Sequence, residues 1–150
     1  MNSPLRAVRR AQAGFTLIEI MVVVVILGIL AAIVVPRLAG EPDKARVAKA
    51  RQDIRALESA LQLYRLDNYY YPTTQQGLEA LVQKPDGEPP ARNWKPGGYV
   101  AKLPKDPWGV AYQYLQPGVK GGDYDIFSLG ADGKPGGDSV DADIGNWNLD

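Results

Sequence analysis

With 150 residues, the chain has room for one domain beside an anchor, and its 17 basic and 17 acidic side chains balance, so no strongly basic face is offered to nucleic acid. It contains neither Cys nor His, which excludes disulfide frameworks, thiolate or imidazole zinc sites, and triads or dyads that depend on either residue. Most of its 16 Gly and 12 Pro fall after residue 70, which predicts turns and short strands in the C-terminal half.

Arg6, Arg9 and Arg10 precede an apolar run over residues 15–35, in which Glu19 is the only side chain that ionises. As a helix the run spans roughly 30 Å, about the thickness of a bilayer's hydrocarbon core. A carboxylate near the membrane centre costs roughly 2.5–3.5 kcal/mol, so Glu19 calls for a partner. An ordinary cleaved secretory signal is shorter than this run and ends in a small-x-small site, which is missing here. A plain single-pass anchor fits the length but gives Glu19 no purpose. A third reading places cleavage before the run, between Gly14 and Phe15. Lys and Arg do not settle the orientation: three lie before the run, and Arg37, Lys44, Arg46, Lys49 and Arg51 follow it.

The stretch GFTLIEIMVVVVILGILAAIVVP resembles the class III signal of type IV pilins and type II secretion pseudopilins. The resemblance implies that a prepilin peptidase cuts after Gly14 on the cytoplasmic side and N-methylates Phe15. The apolar helix is then retained as the core of a filament. Cleavage there would free an α-amine on Phe15, with a reference pKa near 8. Glu19 lies four residues on, roughly 6 Å along a helix axis. In a filament it would pair with the amine of a neighbouring copy, setting register more than bulk stability. A chain beginning at Phe15 has a side-chain charge of −3, since the three leader arginines are lost.

Pro36, Gly40 and Pro42 can each kink or weaken a helix. Beyond them Val47, Ala50, Ile54, Leu57, Leu61 and Tyr64 mark one face of an amphipathic helix, with Lys44, Lys49, Arg51, Asp53, Arg55 and Glu58 on the others. A single helix from Phe15 to about Leu66 would be roughly 75 Å long. Its charged faces are either solvated or engaged in ion pairs between subunits.

The NYYYP stretch at residues 68–72 ends this helix. Thr73 or Thr74 is placed to cap a short helix over residues 75–83, and residues 84–98 form a loop. Strands are expected from Tyr99–Val100 towards Leu103, at 110–115 and at 124–129, with turns at 106–109 and 117–122. The fold class is α+β: a long N-terminal helix packed on a small antiparallel sheet.

Asp132, Asp138, Asp141 and Asp143 alternate with Gly133, Gly136 and Gly137. Carboxylates with glycine-rich backbone suit calcium, which takes six to eight oxygens. The EF-hand pattern is absent, and on spacing alone a solvated polar loop accounts for the segment better. Asp123/Asp125 and Asp141/Asp143 are carboxylate pairs of the kind acid–base enzymes use, but nothing suggests a deep pocket around them.

The blocks YYYPTTQQGLEALVQKP, YVAKLPKDPWGVAYQYLQPG and YDIFSLGADGKPGGDSVDADIGNW are similar to the major pseudopilins of type II secretion, the general secretion pathway G family. The resemblance implies a leader over 1–14, a transmembrane and filament-core helix over 15–35, its amphipathic continuation over 36–66 and a periplasmic head over 67–150. It implies one structural calcium ion held by the Leu129 carbonyl, Asp132 and groups from Asp138, Ser139 and Val140, with Asp141 or Asp143 completing the shell. The implied partners are further copies of the chain, minor pseudopilins, the prepilin peptidase, the inner-membrane assembly platform and membrane lipid. No catalytic residue is expected. A type IV pilus major pilin is the rival reading, although such pilins usually carry a C-terminal disulfide loop that a chain without Cys cannot form.

Overall fold

Valine-rich sequence such as residues 22–25 has only modest helix propensity in water. In an apolar environment every backbone N–H and C=O must be paired within the segment, and a helix does this. In the computed structural model helix α1 covers Leu17–Leu38. The structure describes residues 14–38 and 41–150, the side chains of 34–38 and 41 excepted. It divides into two units, Met1–Gly40 and Glu41–Asp150. Of the expected leader, residues 1–13 lie outside the described residues.

Helix α2 covers Glu41–Asn68. The helix expected over 15–66 is helical over Leu17–Leu38 and Glu41–Asn68, and residues 39 and 40 lie outside the described residues. Pro36 falls within α1. Among the described residues no helix is long and apolar enough to cross a membrane. The apolar stretch with described side chains, 17–33, measures about 25 Å.

The amphipathic stripe of α2 is as expected. Ala50, Ile54, Leu57, Leu61 and Tyr64 are buried, and Val47 packs at the margin of the core. Each large side chain among them contributes about 1.5–3 kcal/mol by leaving water. Asn68 closes α2 by donating its side-chain N–H to the Tyr64 carbonyl at 3.1 Å. Tyr69 follows in the left-handed region at φ 71°.

Strands β1 (Gln113–Leu115), β2 (Asp125–Ser128) and β3 (Ile144–Gly145) form an antiparallel sheet in the order β1-β2-β3. Tyr114, Tyr124, Ile126 and Ile144 join the α2 stripe, Leu78 and Leu81 in one core. The expected strand near Tyr99 is absent, because the N–H groups of Tyr99 and Val100 both donate to the Leu81 carbonyl. Instead of starting at Val110, β1 starts at Gln113, because the Asp106 carboxylate takes the Val110 N–H at 2.8 Å. The helix expected over 75–83 shrinks to a 3-10 turn, Leu78–Leu81. Thr73 does cap, in reciprocal bonds with Gln76. Gly77, at φ 62°, then breaks the run between the capped turn and the 3-10 turn.

Candidate functional site

Two regions carry the residues expected to matter. At the start of α1, Gly14 and Phe15 are exposed, and a Cβ placed on Gly14 would meet nothing within 4 Å. The 14–15 peptide bond thus stands clear of the fold, on non-helical chain just ahead of the first helical turn. Thr16 and Glu19 form a reciprocal cap. The Thr16 N–H donates to Glu19 Oε2 at 3.4 Å, and the Glu19 N–H donates to Thr16 Oγ1 at 3.3 Å. This satisfies N–H groups that a helix start leaves without partners. Thr16-Leu17-Ile18-Glu19 carries the sequence signal of a capping box, which the charge of Glu19 masks. Within a single chain, then, Glu19 has a neutral partner three residues back. The apolar side chains that follow are exposed on every face, from 48% at Val23 to 80% at Leu17.

The second region is the loop 129–143, which joins β2 to β3. Its ends are pinned by the Ser128–Ile144 pair, and its limbs by an Ala131 N–H bond to the Val140 carbonyl at 2.9 Å. Gly130 and Gly137 are required here. A Cβ on Gly130 would lie 2.7 Å from the Asp141 carbonyl, and one on Gly137 would overlap the same group. Asp132 and Asp138 are exposed, and Asp132 Oδ1 accepts the Lys134 N–H. A 3-10 turn, Ser139–Asp141, contains the expected Ser139 and Val140, with Ser139 at φ 59°. Asp143 and Gly136 exchange two bonds, one from the Gly136 N–H to Asp143 Oδ2 and one from the Asp143 N–H to the Gly136 carbonyl.

Asp143 Oδ1 is sealed from solvent and accepts no hydrogen bond. A buried carboxylate oxygen left unpaired is costly, and a cation is one of the few partners that would satisfy it. Among the described residues no three carboxylates gather. A cation beside Asp143 would therefore need backbone carbonyls to complete its shell. Calcium accepts such a mixed oxygen set. The residues present fit it.

In the two carboxylate pairs each member has partners of its own. Asp123 precedes β2 rather than sharing a face with Asp125; it is exposed and paired with Arg65 at 3.3 Å. Asp125 is buried and accepts the N–H groups of Val119 and Lys120, which fixes the 117–122 turn. Asp141 presents its carbonyl to Gly130 and Gly137, while Asp143 faces Gly136.

The model of the family described as type II secretion system (T2SS), protein G, matches residues 37–147. The chain belongs to the type II secretion system protein G family. A second model, the prokaryotic N-terminal methylation motif, matches residues 9–35, so the cap at Thr16 and Glu19 lies inside that motif. Protein G relatives match nearly end to end. The type II secretion system core protein G of Pseudomonas aeruginosa is 65% identical over 93% of this chain and 97% of that one. The protein of the same name from Vibrio cholerae is 63% identical over 93% of this chain and 94% of its own length. The fold agrees as well. The crystal structure of the major pseudopilin from the type 2 secretion system of enterohaemorrhagic Escherichia coli superposes with a TM-score of 0.66 at 54% identity, covering 76% of this chain and 96% of that one.

Proposed function

We propose that the chain is a major pseudopilin, the repeating structural subunit of the type II secretion pseudopilus, which drives folded proteins across the outer membrane. The observation that carries this reading is α1. From Leu17 to Ile33 its side chains are exposed, and Glu19 is the only ionisable one. Such a helix is stable only if lipid or other apolar helices cover it. Protein G membership ties the helix to secretion rather than to an adhesive or motility pilus. The work is mechanical: no catalytic constellation is needed, and the chain is the substrate of a peptidase rather than an enzyme.

In this reading the precursor spans the inner membrane once, N-terminus in the cytoplasm and head in the periplasm. A prepilin peptidase cuts after Gly14 and methylates Phe15. The subunit then leaves lipid for the filament, guided by the assembly platform and joined by minor pseudopilins. The cap on Thr16 keeps the Glu19 carboxylate at the helix start, and the new amine lies one residue before Thr16. On assembly that carboxylate is available to the amine of a neighbouring copy. Glu19→Ala should leave membrane insertion intact and abolish cross-linking of copies into a ladder. A variant that inserts and polymerises like the unsubstituted chain would sink the role given to Glu19.

In the head, calcium is the structural cation, drawing on Leu129, Asp132, the Asp138–Val140 segment and Asp141 or Asp143. When bound it would supply the charge that joins Asp143 to carbonyls on both limbs of the loop. A ligand that binds only the folded state stabilises it by mass action. A chelator should therefore lower Tm, and Asp132→Ala or Asp143→Ala should remove the difference between chelated and calcium-saturated protein. Equal Tm in both conditions for the unsubstituted chain would refute the calcium assignment.

A further inference from the structure

Asp106 and Ser128 are polar and almost fully buried, 5% and 1% exposed, and they lie on different elements. Asp106 opens the turn 106–109, and Ser128 is the last residue of β2, immediately before the loop 129–143. The Ser128 hydroxyl donates to Asp106 Oδ2 at 2.6 Å and accepts the Gly130 N–H at 3.2 Å. Asp106 Oδ1 accepts the N–H groups of Trp108 at 3.1 Å and Val110 at 2.8 Å. Three neutral donors thus hold a buried carboxylate. If only the turn mattered, an Asn would hold it as well, because both residues make this kind of turn, and without burying a charge.

We propose that Asp106 and Ser128 are positioning residues for the cation loop: the relay from Gly130 N–H through the Ser128 hydroxyl to Asp106 holds the loop's first limb in its binding shape. This rests on the reading of residues 129–143 as a calcium loop. Gly130 lies against the backbone of the other limb at Asp141, at φ 69°. The orientation of the Gly130 peptide sets where the neighbouring Leu129 carbonyl points. It also sets whether Ala131 can reach the Val140 carbonyl. Removing the Ser128 hydroxyl leaves the Gly130 N–H and Asp106 Oδ2 both buried and unpaired, and the limb is then free to turn. The charge of Asp106 acts in the same sense, since a buried anion beside the loop favours a divalent cation.

The test uses the full chain in detergent micelles, with calcium as the titrant in isothermal calorimetry and Tm measured in calcium and in chelator. Ser128→Ala should weaken calcium binding at least about tenfold, the usual cost of losing a group that orients a metal ligand. Its Tm should fall more in calcium than in chelator. Ser128→Thr, which keeps the hydroxyl, should bind within about twofold of the unsubstituted chain. Asp106→Asn, which keeps an acceptor for the turn, should weaken binding and still melt cooperatively in chelator, so a Ser128→Ala chain that fails to fold leaves the test standing. Unchanged affinity in Asp106→Asn and Ser128→Ala, or equal loss of Tm in calcium and chelator, would overturn the proposal alone. No calcium uptake by the unsubstituted chain would overturn it together with the calcium assignment.

Discussion

On the proposed reading, Glu19 is one side chain that serves two states. In the single chain the Glu19 carboxylate caps the backbone of its own helix; in a filament the same oxygens can accept a cation from a neighbour. Tyr69 presents the opposite case, a residue at odds with its backbone. It follows α2 at φ 71°, a conformation that costs an L-residue roughly 1–2 kcal/mol and glycine almost nothing. Its side chain is 83% exposed, so little packing offsets the strain. Glycine is the usual residue at this point past a helix end. Tyr69→Gly should stabilise the head by roughly 0.5–1 kcal/mol in urea unfolding, less than the strain because glycine also frees the unfolded chain. A lower midpoint would show that Tyr69 makes a contact worth more than its strain.

The elements differ in how far the sequence foretold them. The α2 stripe was legible because a 3-4-3-4-3 spacing of apolar residues has one helical solution, and those positions are the buried ones. Strands β1 and β2 were legible from their Tyr, Ile and Phe content, though not their ends, since Asp106 removes Val110 from the ladder through a side-chain bond. Strand β3 was missed: Ile144-Gly145 is too short to show alternation and exists through pairing with β2. In the loop 129–143 the acids were visible, but not the relay from Asp106 and Ser128, which spans 22 residues. The orphan Asp143 oxygen was likewise beyond reach, because burial of a single atom has no sequence signature.

The core joining these elements is rich in tyrosine. Tyr64, Tyr112, Tyr114 and Tyr124 are buried, and burial, the largest cause, pushes each hydroxyl pKa well above its ordinary value near 10. A pKa raised in the folded state gives stability that is complete below the unfolded value. That stability drains away as pH climbs through it, because the unfolded chain releases protons that the fold retains. The urea midpoint should therefore drop steeply once pH passes about 10. A midpoint that stays level from pH 9 to 11.5 would contradict this account of the core.

At the scale of the whole molecule, the two units have opposite needs. Residues 41–150 bury a core of their own, fastened by bonds such as Trp94 Nε1 to the Ala80 carbonyl at 2.8 Å and the Tyr114 hydroxyl to the Pro72 carbonyl at 2.8 Å. Among its described residues the α1 unit buries nothing of its own, and its side chains over 17–33 all remain exposed. An apolar helix without a core must borrow one, on the proposed reading first from lipid and then from its copies, and retaining it after processing is what the third reading of the N-terminus requires. The intact mass of the chain purified from membranes tests this most directly. The account predicts a protein that begins at Phe15 and carries one added methyl group. A mass that begins at Met1, or one that has lost α1, would contradict it.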